Sequence, residues 1–172
     1  AEILGVQLAC TNLAGLFQTT LTWAAGSETR TVCYANAHTL NLAYQDPRLR
    51  AALNGADLVY VDGISVVWAA AFLYNKRLEK MTARSWIKDF AVQAGKLGLR
   101  LYLFGGMEGV AQRAAVQLTS IAPGLRIVGS YPGIFSAAQE PEIVQQINAA
   151  QPDILMVGLG TPRQERWLDC HR

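Results

Sequence analysis

A carboxylate stands where an apolar strand should end. In Leu58-Val59-Tyr60-Val61-Asp62-Gly63 a β-rich run stops at Asp62, a group able to accept a proton from an attacking hydroxyl. The same Asp-Gly pair also suits a turn, or an N-cap for a helix beginning near Gly63. Asn36, in Tyr34-Ala35-Asn36-Ala37-His38, follows another β-rich run and is suited equally to tying two loops together and to hydrogen-bonding a sugar hydroxyl. Gly105-Gly106-Met107-Glu108-Gly109 lies between a strand pattern and a helix pattern. Backbone N–H groups there can approach an anion such as a diphosphate, and a tight turn would need the same glycines for its dihedral angles. A last junction, Gly158-Leu159-Gly160-Thr161-Pro162-Arg163-Gln164-Glu165, again mixes glycine with polar groups.

Lys76, Arg77, Lys80, Arg84 and Lys88 form the dense basic stretch of the chain, relieved by Glu79 and Asp89. Such a run is a solvated helix face or a contact for diphosphates and anionic lipid headgroups. Other chemistries lack their residues. His38 and His171 have no Cys or carboxylate partners at ligand spacing, and no Asp-x-Asp occurs, so no metal is expected. The glycine spacing is not G-x-G-x-x-G, and Ser130 rather than an acidic residue follows the next strand, which disfavours a nicotinamide cofactor. No Gly-x-Ser-x-Gly elbow signals a hydrolase.

These junctions need elements to place them. Short β-rich runs cover residues 3–8, 31–35, 58–61, 99–104, 125–128 and 154–157, separated by segments with apolar residues at intervals of three and four. The spacing predicts a first helix within 11–25. In a later one Val110, Ala111, Ala114, Ala115, Leu118 and Ile121 share a stripe that excludes Gln112, Arg113 and Gln117. A helix from Pro141 carries Ile143, Val144 and Ile147, and another pairs Trp86 with Phe90 behind a Thr82 N-cap. Strands alternating with helices imply crossovers, hence an α/β fold with a mostly parallel, doubly wound, Rossmann-like sheet covered by helices on both faces. In such sheets ligands bind beyond the carboxyl ends of the strands, where the motifs above fall.

Composition bounds the rest. With 172 residues and no linker or repeat, a single domain over 1–172 is expected. Only 16% of positions are charged, against about 25% in an average soluble domain, and the surplus is apolar. A net charge of +2 disfavours nucleic acid as a partner. The longest apolar stretch, residues 64–74, is far short of the roughly 20 needed to span a bilayer. No basic segment followed by a small-residue cleavage site opens the chain. Three scattered cysteines, Cys10, Cys33 and Cys170, suggest a reducing compartment, the cytoplasm being the simplest. A helical pattern through Gln164, Trp167, Leu168 and His171 reaches the last residue without a stop, so the native protein is expected to continue past Arg172. The apolar surplus leads us to expect a surface covered by that continuation, by a bilayer, or by a second copy in a homo-oligomer.

The ordered set of motifs resembles the TagA/WecG/CpsF glycosyltransferases from end to end. Ile3-Leu4-Gly5-Val6, Tyr34-Ala35-Asn36-Ala37, the Asp62-Gly63 block, Leu103-Phe104-Gly105-Gly106, Ile127-Val128-Gly129 and the Gly158-x-Gly160-x-Pro162-x-Gln164-Glu165 block occur in the family's order. The resemblance implies an inverting, metal-independent transfer, without cofactor, of an N-acetylmannosamine-type sugar from a UDP-sugar to a polyprenyl-diphosphate-linked sugar. It places that reaction at the inner face of a bacterial membrane, in cell-envelope polymer synthesis such as teichoic acid linkage units, and implies a basic C-terminal appendage beyond this core. Asp62 matches the family's catalytic base. Asn36 and Gln164 match polar pocket residues; Gly105 and Gly106 match the diphosphate-side loop, with Gly160 in the last block. Tyr34, Lys80 and Arg84 complete the expected substrate-binding set. Three positions depart from the pattern: Tyr34 stands where the family usually has Thr, Lys80 where it has Arg, and Ser85 where it has Asp. They favour the alternative of a non-catalytic sugar-nucleotide-binding or assembly module.

Overall fold

Parallel strands linked by helices are the product of this sequence, as described by a computed structural model of residues 1–172. In chain order the elements are β1 (Glu2–Ile3), β2 (Val6–Gln7), α1 (Leu13–Ala24), β3 (Val32–Ala35), α2 (Ala37–Gln45), α3 (Pro47–Gly55), β4 (Leu58–Val61), α4 (Ile64–Tyr74), α5 (Ala83–Lys96), β5 (Arg100–Gly105), α6 (Val110–Ile121), β6 (Arg126–Tyr131), a 3-10 turn (Ala137–Gln139), α7 (Glu140–Ala150), β7 (Ile154–Gly158) and α8 (Arg163–His171). The expected α/β class with mostly parallel strands flanked by helices is the observed one. The chain packs as two units, Ala1–Trp86 with Thr161–Arg172, and Ile87–Gly160.

In the first unit β3 and β4 pair in parallel, with Val32 opposite Leu58, Tyr34 opposite Tyr60 and Ala35 opposite Val61. Their crossover is two short helices hinged at Asp46. Its carboxylate caps α3 by accepting from the N–H groups of Arg48 and Leu49, while Pro47 occupies the first turn, where no N–H is needed. Strand alternation sends Cys33, Ala35, Val59 and Val61 to one face, where they join Leu40, Leu49, Leu53, Val66 and Ala70 in a buried core. Tyr34 and Tyr60 face the other way. There the aromatic rings run Tyr34, Tyr60, Trp86, Phe17, with successive centroids 6.2, 6.1 and 5.8 Å apart and the last two pairs edge-to-face.

The expected strand over 3–8 is instead an antiparallel hairpin of β1 and β2, Ile3 facing Val6. Leu4 and Gly5 both take positive φ, 51° and 80°, the conformation of a tight hairpin reversal, so a run of β-formers folds back on itself. Thr82 precedes α5 as expected. The contact there is made by its carbonyl, which accepts from the Ser85 N–H and hydroxyl at 2.8 and 2.7 Å, rather than by its side chain.

The second unit is a three-stranded parallel sheet in the order β6-β5-β7. Residues 129–131, expected beyond the strand, extend β6. Gly129 lies opposite Tyr102 at a register shift, and a Cβ there would collide with the Tyr102 ring edge and come within 2.7 Å of its Cδ2, so glycine lets the strand continue past it. Arg100 and Asp153 lock the first rung of β5 and β7: Asp153 accepts from the Arg100 backbone N–H at 2.7 Å and from its guanidinium at 2.8 Å.

Candidate active site

Parallel register brings the two sharpest sequence candidates together. Because Tyr34 pairs with Tyr60 and Ala35 with Val61, the next rung sets Asn36 beside Asp62, and the Asp62 N–H bonds the Ala35 carbonyl at 2.9 Å. Asn36 Nδ2 donates to Asp62 Oδ2 at 3.5 Å. Both residues are half-buried, at the carboxyl ends of neighbouring strands.

Asn36 does two tasks at once. It is the N-cap of α2, its Oδ1 accepting from the Thr39 N–H at 3.0 Å and the Thr39 hydroxyl at 3.2 Å. Two donors on Oδ1 fix which end of the amide faces which way, and the NH2 is left to point at Asp62. Thr39, fully buried, is therefore a positioning residue that the sequence did not single out; the only signal was its place three residues after Asn36.

Asp62 does not do the ordinary work of an Asp-Gly pair. The N-cap of α4 is Gly63, with φ 109° and no side-chain cap hydrogen bond, so the Asp62 carboxylate is not engaged with the helix. Its side chain has one hydrogen-bond partner, Asn36, and is otherwise turned to half-exposed surface. Below it, burial pushes the Tyr60 phenol well above its usual range, and the charge of Asp62 and the neighbouring Tyr34 add to the shift. Tyr60 is thus a neutral wall, and Tyr34 is packed in the aromatic series beneath Asn36.

Lys80 and Arg84 are exposed in the same unit. Buried Met81 donates its N–H to the Val61 carbonyl at 2.9 Å, which lays the Lys80-Met81-Thr82 segment alongside the end of β4. No side-chain hydrogen bond or ion pair joins Lys80 or Arg84 to Asp62 or Asn36.

The start of α8 holds a second polar group. Glu165 Oε1 accepts from the Thr161 hydroxyl and from Gln164 Nε2, each at 2.9 Å, while Oε2 is buried without a hydrogen-bond partner. Gln164 and Glu165 are 6% and 2% exposed, so the first turn of this helix is inserted rather than solvated. Glu165 is a further residue that sequence reasoning did not select, although it ends the Gly158 to Glu165 block. Its charge reaches Cys33, whose thiol is pushed up to about 12, chiefly by burial and then by Glu165 and Asp169.

In the second unit the glycines have structural reasons of their own. Gly105, with φ 141°, lies against β7 so closely that a Cβ would collide with the Gly158 carbonyl and come within 2.7 Å of its Cα. The Gly106 N–H donates to Gly158 at 3.1 Å and its carbonyl accepts from Gly133 at 2.7 Å. Gly109, at φ 75°, is the N-cap of α6 and offers no side chain to the first-turn N–H groups. Gly160 has φ 78° and open space where a Cβ would stand, so its dihedral angle alone calls for glycine.

A carboxylate held by one amide, facing half-exposed surface at a strand end, with exposed cations in the same unit, is equipped to take a proton from a hydroxyl and to accept a diphosphate nearby. No group of three or more His, Cys, Asp and Glu side chains comes together as a metal site. No helix is long and apolar enough to cross a membrane. The model of the glycosyl transferase WecG/TagA/CpsF family matches residues 1–172, the whole chain, and the protein belongs to that family of glycosyl transferases.

Proposed function

We propose that this chain is the core of an inverting glycosyltransferase that moves an N-acetylmannosamine-type sugar from a UDP-sugar to a polyprenyl-diphosphate-linked sugar, with Asp62 as general base. The acceptor hydroxyl gives its proton to the Asp62 carboxylate as its oxygen attacks the anomeric carbon. The bond from that carbon to the UDP oxygen breaks with its electron pair going to UDP, and attack from the opposite face inverts the centre. Lys80 and Arg84 offset the charge of the departing diphosphate in place of a metal ion, and Asn36 and Gln164 orient sugar hydroxyls. The reaction belongs at the inner face of a bacterial membrane, where a lipid-linked acceptor is anchored, with the protein bound peripherally.

The observation that carries the reading is the Asp62 side chain: it leaves helix capping to Gly63 and is steadied only by Asn36. Asp62→Asn should abolish transfer from a UDP-sugar panel to a short-chain lipid-diphosphate acceptor, followed by UDP release, while UDP affinity by calorimetry stays within a fewfold of wild type. Undiminished turnover by that variant would overturn the base assignment. The second reading, a sugar-nucleotide-binding module, is favoured by Ser85, whose hydroxyl is turned onto the Thr82 carbonyl where the family pattern has a carboxylate. A native full-length chain that binds UDP but gives no product would decide for it.

A further inference from the structure

Helix α4 is apolar all round, a property that normally goes with burial on every side, yet only one side is covered. Val66 and Ala70 enter the core, while Ile64, Trp68 and Phe72, spaced four apart, form an outward stripe in which Phe72 is 90% and Trp68 67% exposed. Leu73 and Tyr74 widen it at its carboxyl end. At 1.5 Å per residue the helix is about 16 Å long, so the stripe is continuous rather than a scatter of single apolar residues.

The chain that follows is basic. Asn75 ends the helix in the left-handed conformation; Lys76, Arg77, Lys80 and Arg84 are all exposed and paired with no carboxylate, the Lys76 ammonium donating only to the exposed Cys10 Sγ at 3.7 Å. Glu79, the acidic residue among them, turns its carboxylate to the Leu13 N–H at 3.0 Å, where α1 begins. An apolar stripe with an uncompensated cationic flank is complementary to one kind of surface, an anionic bilayer, which supplies opposite charge in its headgroups and apolar depth beneath them. Trp68 and Tyr74 are the amphipathic aromatics favoured at that boundary. A second copy of the chain would bring the same cations to the same face.

We propose that the outward stripe of α4 seats in the headgroup region of an anionic lipid bilayer, with Lys76 and Arg77 directly after it bound to the headgroups. The seating follows from α4 and its flank. Its purpose rests on the transfer reading: the stripe starts two residues after Asp62, so a helix lying in the interface holds the candidate base at the level of a lipid-linked diphosphate.

The test is sedimentation of the 172-residue chain with vesicles of phosphatidylcholine alone and of an equimolar mixture with phosphatidylglycerol. Wild type should bind the anionic vesicles and lose binding at high salt. Trp68→Ser/Phe72→Ser should weaken binding about tenfold or more. Lys76→Gln/Arg77→Gln should weaken it about fivefold per charge, or about thirtyfold, on anionic vesicles only. Trp68→Phe, which keeps the apolar stripe, should bind within a fewfold of wild type and serves if the double serine variant fails to fold. Equal sedimentation of wild type and the stripe variants, or no binding of wild type to anionic vesicles, would overturn the proposal. So would light scattering that shows a wild-type dimer made monomeric by Trp68→Ser/Phe72→Ser, without vesicle binding. Transfer to a water-soluble acceptor should be unchanged by the stripe variant. Normal transfer by Asp62→Asn together with intact vesicle binding would refute the catalytic reading alone.

Discussion

Asn36→Asp keeps the helix cap and sets a second carboxylate against the first. Asp caps α2 as well as Asn does, because the oxygen that accepts from the Thr39 N–H and hydroxyl is retained. The change falls on the other atom, where an oxygen replaces the NH2 that faces Asp62 Oδ2 at 3.5 Å. Two unit charges at that distance repel by about 1 kcal/mol at the dielectric of water and about 5 kcal/mol at an effective value of 20. Half-burial of both residues puts the expected penalty between these limits. The sign follows from which state holds protons. In acid both carboxyls are protonated in the folded and unfolded chain, and the variant should melt level with wild type. As pH rises through the ordinary carboxylate range, the unfolded chain ionises freely while the folded pair resists its second charge, so the variant loses stability with rising pH. At roughly 2–4 °C per kcal/mol for a domain of this size, the gap at neutral pH should be a few degrees or more. Because the second carboxyl of the pair ionises at higher pH than a lone carboxylate, the acid limb of the transfer profile should move up by about one pH unit for each 1.4 kcal/mol of repulsion. Thermal melts across pH and the pH profile of kcat/KM measure both effects. A melting gap constant from acid to neutral pH, with an unshifted rate profile, would show that the two side chains do not meet.

Three other outcomes are expected. Gly105→Ala should destabilise the chain by about 3 kcal/mol or more, since the new Cβ runs into Gly158 and must hold φ 141°, and denaturant unfolding reads the loss. Cys33, buried with its thiol pushed up to about 12, should resist alkylation at mildly alkaline pH until the chain unfolds, while exposed Cys10 and Cys170 react; mass spectrometry of labelled peptides separates them. Asp153→Asn should cost about 1 kcal/mol at neutral pH, a figure kept small because the Arg100 side chain is 37% exposed. Hydrogen bonds from Arg100 hold the Asp153 carboxyl below its ordinary value, so its contribution is present above the unfolded-state value and disappears as pH falls through the lowered one; urea titrations at neutral and acid pH should show the difference closing.

The elements were legible in the sequence where periodicity decides them. Five of the six expected strands and the 110–121 stripe appear as β3 to β7 and α6, within three residues at each end. What failed were decisions taken by dihedral angles and tertiary neighbours. Leu4 in a left-handed conformation turns one β-rich run into a hairpin, and Gly129 continues β6 because the Tyr102 ring needs its space. The apolar run of residues 64–74 is too short to span a bilayer, but its composition does not say which side faces outward; packing leaves Ile64, Trp68 and Phe72 exposed. At the site, the sequence named Asp62 and Asn36 and left each with two roles. Register brings the two together: Asn36 caps a helix and meets Asp62, whose carboxylate caps nothing. Thr39 and Glu165 stayed hidden because a hydroxyl inside a helix and a carboxylate in its first turn ordinarily face solvent.

Pairing Tyr34 with Tyr60 has a consequence for how this site can change over time. Side chains on a strand alternate faces, so loss or gain of a single residue within β3 or β4 would carry Asn36 or Asp62 to the opposite side of the pair. Point replacements at Val32 or Leu58, which are only half-buried, leave the rung count intact. The site should therefore tolerate many substitutions in its supporting strands and almost no insertion or deletion there.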